Sequence, residues 1–178
     1  MRVFFLFLLA ISFVLSAVPK NFLKTYSEKE YKEACLIGTA YVEDSRDEDF
    51  LSAYSFACLN SDNIDVIAAA AIKLKNTKAS RQNAAILTSI VAMKKLLYFS
   101  VVDGFDISTI KFPEIDHILS KVFTLYTKGR YTLENGIYTF KLKENETATM
   151  YLKKDDHRTK LYIKEFRDNK ETKTHIYW

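Results

Sequence analysis

The spacing of apolar residues along the chain changes near residue 130. Before that point apolar residues recur at three- and four-residue steps, as Ile115, Ile118 and Leu119 do, which is typical of a helix face. After that point apolar and polar residues alternate, which is typical of strands. The change predicts an α+β protein, with a helical region over residues 18–129 and an antiparallel β region over residues 130–178.

Five helices are predicted in the helical region. The stretch from Ser27 to Glu30 has the spacing of a capping box, so a helix is expected from there to about Val42. The other helices are expected from the charged run 43–49 to about Leu59, over 64–74, from a Ser80 cap to about Val101, and from Pro113 to a Gly129 cap. The chain has only four Gly and two Pro, which argues against long loops.

Turn residues divide the β region into five strands. Asn135-Gly136 tolerates the positive backbone angles of a type I′ turn, so residues 131–134 and 137–142 are expected to form a hairpin. Three further strands are expected over residues 147–153, 160–166 and 172–178. Because so short a region makes only a marginal core, we expect this five-stranded antiparallel meander to pack one face on the helices.

The first 17 residues have the order of a secretory signal sequence. Arg2 supplies a positive start, residues 3–15 are almost all apolar, and Ser16-Ala17 offers small residues for cleavage. We therefore expect an exported protein, periplasmic or secreted, and the alternative is an apolar N-terminus retained as an anchor. Later apolar stretches are shorter or interrupted by charges, so the mature chain is expected to lack a transmembrane segment.

Cys35 and Cys58 are the two cysteines of the chain. In an antiparallel helical hairpin, facing residues have a nearly constant sum of positions, and the midpoint of this pair falls between Arg46 and Asp47, inside the charged run. A hairpin that turns there brings the sulfurs level, and a disulfide would stabilise it by about 3 kcal/mol. The alternatives are two small buried thiols that never meet and a reactive pair, for which the spacing is too wide.

The residues around the cysteines also carry a family resemblance, over about residues 31–60. Ala34-Cys35, Gly38, Tyr41, Ala53, Phe56 and Ala57-Cys58 resemble a tetratricopeptide-like helical repeat, and more closely the cysteine-rich repeats of secreted bacterial proteins. The resemblance implies a disulfide between paired helices, with Gly38 allowing close approach and Tyr41 filling the groove beside it. The loop is shorter than in that family and no second cysteine-bearing copy follows, so we carry over no activity.

No catalytic constellation is recognised in the sequence, and no cofactor or metal site is expected. Asp116 could orient His117 as a general base, but helix neighbours point to different faces, so a surface histidine is expected. The Asp-Asp-His stretch at 155–157 offers metal ligands, but aspartates are common in turns for backbone reasons. The acidic run 43–49 lacks the glycine of a calcium loop, so a solvated turn is expected.

The β region carries the residues that best suit a binding surface. Its excess of basic over acidic residues, 11 against 8, is too weak and too interleaved for nucleic-acid binding. Tyr138 and Phe140 share one face of a strand, and Tyr162, Lys164 and Phe166 share one face of another. The part of this set that stays exposed suits a peptide, glycan or protein partner, and the alternative is that these rings belong to the core.

These observations predict an exported, non-catalytic protein that acts as a periplasmic binding protein, adaptor, inhibitor or envelope factor. Its expected partner is a protein or an envelope component. The rival class is a cell-envelope hydrolase acting on peptidoglycan or a β-lactam. The two classes differ in one observable, because a hydrolase needs polar groups that converge in a pocket.

Overall fold

The computed structural model describes residues 18–155 and 157–178, so the predicted signal sequence lies outside the described residues. The helices are α1 (Lys20–Ser27), α2 (Tyr31–Thr39), α3 (Glu48–Asn60), α4 (Ile67–Ala71), α5 (Lys78–Asp103) and α6 (Ile118–Thr127), with a 3-10 turn (Ile64–Val66) before α4. The strands are β1 (Thr132–Glu134), β2 (Ile137–Lys141), β3 (Glu146–Lys154), β4 (Thr159–Arg167) and β5 (Lys170–Tyr177). They form one antiparallel sheet in sequence order, so the α+β class and the meander are confirmed.

The predicted capping box is wrong, and α1 is absent from the sequence prediction. Ser27 ends α1 and its hydroxyl donates to the carbonyl of Lys24 (2.7 Å). Lys29 then adopts a left-handed backbone conformation (φ 62°) that turns the chain into α2. Packing overrides the local capping pattern, because Phe22 of α1 is buried against Phe50, with ring centroids 5.0 Å apart.

Two other predicted helix starts are also wrong. The N-cap of α5 is Thr77, whose hydroxyl accepts from the Ser80 amide (3.0 Å), so the helix begins earlier than predicted. α6 begins after His117 instead of at Pro113, because the His117 Nδ1 atom accepts from an amide of the first turn (3.2 Å). The predicted helix over 64–74 is shortened to α4 and its preceding turn. The predicted glycine end at Gly129 is confirmed (φ 64°), and Gly104 (φ 72°) ends α5 in the same way.

α2 and α3 form the predicted hairpin, and a disulfide joins Cys35 to Cys58, with Cα atoms 4.8 Å apart. Gly38 is required where the two helices approach, because a Cβ atom there would overlap the ring of Tyr54. Tyr41 does not fill this groove as expected. It lies in the turn after α2 and is 44% exposed, whereas Tyr54 is fully buried against Gly38.

One face of the sheet packs on the helices, and we call it the inner face. The buried side chains on this face are Phe140, Ala148, Met150, Leu161, Ile163 and Tyr177. The Tyr98 hydroxyl of α5 donates to the carbonyl of Thr159 in β4 (2.7 Å). Tyr126 of α6 packs on Tyr138 of β2, with ring centroids 5.4 Å apart. The opposite face of the sheet is the outer face.

α5 is, by length and composition alone, apolar enough to cross a membrane, contrary to the expectation that no later segment would be. The core helix of a folded domain meets the same criterion. In the folded chain Leu87, Met93 and Leu97 of α5 are buried in the core. Lys94, 2% exposed, donates to Asp65 at 2.6 Å. α5 therefore has the contacts of a central core helix.

Candidate functional site

The outer face is built in rows, because antiparallel pairing places residues of neighbouring strands side by side. Tyr151 of β3 pairs with Tyr162 of β4, which pairs with Ile176 of β5. We call these three side chains the aromatic row. The two tyrosine rings stack with centroids 5.3 Å apart and planes 12° apart, and Ile176 is 37% exposed. The row therefore presents a partly apolar strip across three strands.

Lysines lie on both sides of the aromatic row. Lys153 and Lys160 pair with each other on one side, and Lys164 lies on the other. Lys160 forms an ion pair with Asp155 (2.6 Å) and Lys164 with Glu171 (2.7 Å). These contacts lower the pKa of both carboxyl groups and raise the pKa of Lys164. We call Lys153, Lys160 and Lys164 the flanking lysines.

The side-chain contacts of this surface are made within the sheet and its turns. Among the described residues, no helix side chain takes part in the ring stacking or the ion pairs of the aromatic row and flanking lysines. Exposed ion pairs contribute little stability, about 0–1 kcal/mol in general. A carboxylate from another molecule can therefore replace the internal partners of Lys160 and Lys164 at little cost.

The five residues predicted as a partner surface are divided between the two faces of the sheet. Tyr138 pairs with Met150 and Phe140 with Ala148, which places both rings on the inner face. Phe140 is 0% exposed, so it belongs to the core. The remaining three, Tyr162, Lys164 and Phe166, lie on the outer face. The prediction is thus corrected for Tyr138 and Phe140, because their side of the sheet is the one the helices cover.

Sequence reasoning missed a buried polar cluster around His175, which is 2% exposed. Its Nδ1 atom lies 2.7 Å from Asp62 Oδ1, and its Nε2 atom lies 2.8 Å from Glu165 Oε1. The Tyr177 hydroxyl donates to the same Asp62 oxygen (2.9 Å), and Lys173 Nζ lies 3.5 Å from the other. This cluster joins β4 and β5 to the loop after α3.

The electrostatics of the cluster favour a charged histidine. Burial alone would lower the pKa of His175, but its hydrogen bonds to Asp62 and Glu165 outweigh burial and raise the pKa. Burial opposes the effect of His175 on Asp62, whose pKa is nevertheless lowered. The hydrogen bond from His175 also lowers the pKa of Glu165. With a carboxylate oxygen within 2.8 Å of each ring nitrogen, neither nitrogen is free to accept a proton from a nucleophile.

The other predicted histidine chemistry is not assembled. The Asp116 carboxylate pairs with Lys121 (2.8 Å), whereas His117 caps α6. His117 is half-buried, not a surface histidine as expected, and burial lowers its pKa to about 4. In the turn after β3, Asp155 accepts from the amides of residues 157 and 158 (3.1 and 2.9 Å), which is a backbone role. Over residues 18–155 and 157–178, no group of three or more His, Cys, Asp or Glu could hold a metal ion.

Carboxylates of the charged run 43–49 accept hydrogen bonds from backbone amides at the start of α3 and in the loop before α5. Asp47 is the N-cap of α3, and its carboxylate accepts from two amides of the first turn (3.0 and 3.1 Å). Glu48 accepts from the amides of Lys75 and Asn76 (2.7 and 3.0 Å), which lowers its pKa to about 2. These carboxylates are thus turned towards backbone amides.

Comparisons with protein-family models, with curated proteins and with solved structures each found no match to this chain. The resemblance of residues 31–60 to cysteine-rich repeats therefore stays a prediction. The outer face of the sheet is the exposed surface whose side chains best suit a function in binding.

Proposed function

We propose that this protein is an exported, non-catalytic binding protein whose outer sheet face contacts a protein or envelope component. The observation that carries the proposal is the aromatic row, which is stacked, partly apolar and on the face of the sheet opposite the helices. Surfaces of this kind, with aromatic residues set among charged ones, are typical of protein interfaces.

Export is supported by two features of different kinds. Residues 1–17 have the order of a secretory signal sequence, and the Cys35–Cys58 disulfide is compatible with an oxidising compartment. Their combination favours the periplasm or the extracellular space.

Both nitrogens of His175 are engaged by carboxylates, so this buried histidine does not provide the base of a hydrolase. A cleft of about 370 Å³ beside α6 is one of several places where a hydrolase site could lie. Its rim carries two ion pairs, Asp116–Lys121 (2.8 Å) and Lys143–Glu146 (3.4 Å). Within each pair the two charges largely neutralise each other. No specific observation favours the hydrolase alternative.

The proposal is tested in cells of the source organism with a photo-crosslinking amino acid at position 162 and, as the control, at position 36. Leu36 is 68% exposed on α2, far from the sheet in sequence. We expect the chain outside the cytoplasm, cleaved after Ser16 or Ala17, with unreactive thiols, and a discrete crosslink from position 162 only. A cytosolic chain that keeps Met1, or equal crosslinking from both positions, contradicts the proposal.

A further inference from the structure

The aromatic row and the flanking lysines together form a strip with an apolar centre and lysines on both sides, of which Lys160 and Lys164 are ion-paired with Asp155 and Glu171. The outward positions of β3 are Thr147, Thr149, Tyr151 and Lys153, and those of β4 are Lys160, Tyr162, Lys164 and Phe166. These two central strands present three lysines and no acidic residue on this face, but Asp155 lies beside Lys160 and Glu171 of β5 lies beside Lys164. The net positive charge is therefore on the side of Lys153 and Lys160, and the strip suits a partner that is apolar along its middle and acidic where it meets these two lysines.

We propose that this strip binds an acidic amphipathic helix of a partner protein. The apolar side chains of that helix cover the aromatic row, and its carboxylates lie beside the flanking lysines. This inference rests on the proposed function and names the partner chemistry for the same surface. A simple polyanion would meet the lysines but leave the row uncovered, and a wholly apolar helix would offer the lysines no carboxylate.

The dimensions of the strip suit a short helix. Three strands with a spacing of about 4.8 Å place the ends of the row about 10 Å apart. A helix rises about 1.5 Å per residue, so about seven residues, or two turns, cover that distance. Apolar residues at positions i, i+3 or i+4, and i+7 would line the side that meets the row, which is the usual pattern of helix recognition.

The test uses the mature, disulfide-closed protein and a fluorescein-labelled synthetic peptide that has leucines at this spacing and glutamates elsewhere. Fluorescence anisotropy measures its Kd. We expect saturable binding that weakens about threefold or more between about 50 and 200 mM salt, because salt screens the flanking charges. Tyr162→Thr and Lys153→Gln are each expected to raise the Kd about fivefold or more.

Two matched variants control for the chemistry of these substitutions. Tyr41→Thr and Lys170→Gln change the same residue types at exposed positions outside the strip, and we expect the Kd to stay unchanged. Circular dichroism and thermal unfolding confirm that all four variants fold.

Three results would overturn this inference. They are equal affinity for poly-L-glutamate, equal affinity for the peptide with lysines in place of glutamates, and equal loss of binding in the matched controls. If position 162 crosslinks a partner in cells but the acidic peptide does not bind, this inference fails and the proposed function stands. If position 162 crosslinks no partner, the proposed function itself fails.

Discussion

His175 is the residue that most directly joins the sheet to the helices. Asp62 comes from the loop after α3, 113 residues earlier in the chain, and Glu165 comes from the neighbouring strand. Asp62 adopts a left-handed backbone conformation (φ 63°), in the loop that follows α3. Removing one member of such a buried charged cluster leaves the others without a counter-charge, which is strongly destabilising.

We expect His175→Gln to lower the free energy of unfolding by about 3 kcal/mol at mildly acidic pH. The pKa of His175 is raised in the folded state, so its contribution is present below the unfolded pKa and is lost as pH rises through the folded pKa. The difference between wild type and variant should therefore shrink at alkaline pH. Urea unfolding at about pH 5.5 and about pH 9 measures it.

Other charged groups face the same cluster and bear on this comparison. Lys173, Lys121 and His117 face the cluster and are present in both proteins. Asp62 and Glu165 have lowered pKa values and lose their contribution as pH falls, which is why the acidic measurement stays above their range. His157→Gln, at an exposed turn, is the control and should change nothing. A stability difference that is equal at both pH values contradicts a charged His175.

The position of His175 could not be predicted from the sequence because of a β-bulge. Counting back from the two-residue turn Asp168-Asn169 would place His175 opposite Tyr162, on the outer face. The bulge between Glu165 and Phe166 shifts the pairing by one residue and turns His175 to the inner face. The same shift brings Ile176 into the aromatic row.

At the scale of elements, the α2–α3 hairpin is the part that depends most on its crosslink. We expect the double substitution Cys35→Ser with Cys58→Ser to lower the free energy of unfolding by about 3 kcal/mol, because the bond closes a loop with a sequence separation of 23 residues. Urea unfolding measures the loss. Reduced wild-type protein is the matched control and should lose a similar amount, whereas a variant as stable as oxidised wild type contradicts the prediction.

The elements differ in how well the sequence predicted them. The strands and the Asn135-Gly136 turn are confirmed to within about two residues, because local backbone preference and tertiary structure agree there. The helix starts at Ser27, Ser80 and Pro113 are wrong. The burial of Phe22 favours α1 over a capping box at Ser27, whereas Thr77 and His117 cap α5 and α6 in place of the residues predicted.

At the scale of the whole molecule, the helices and the sheet are joined by contacts between distant parts of the chain. Lys94 of α5 lies 5.9 Å from the ring centroid of Trp178, the single tryptophan, and Tyr98 bonds to β4. We therefore expect helices and sheet to unfold in one cooperative transition. Urea curves from Trp178 fluorescence and from far-UV circular dichroism should coincide. A sheet that unfolds at clearly lower urea contradicts this expectation.

The sequence predicted the α+β class and the packing of the sheet on the helices, but not which strand faces are covered. Alternation identifies two faces in each strand, but β2 carries its aromatic residues on the inner face and β4 carries them on the outer face. Only the docking of α5 and α6 decides that Phe140 is buried while Tyr162 stays at the surface. Which face is buried depends on the whole fold and cannot be predicted from the sequence pattern of a single strand.

Cys58 and Asp62 are close in sequence, and this closeness bears on the order in which parts of the molecule fold. Both cysteines and Asp62 leave the ribosome long before β5 is synthesised. The sulfur crosslink can therefore close first and hold Asp62 in place, through the bond from the Asn63 amide to the Cys58 carbonyl (2.8 Å). Asp62, which binds His175 and Tyr177 of β5, would then be in position before β5 is synthesised.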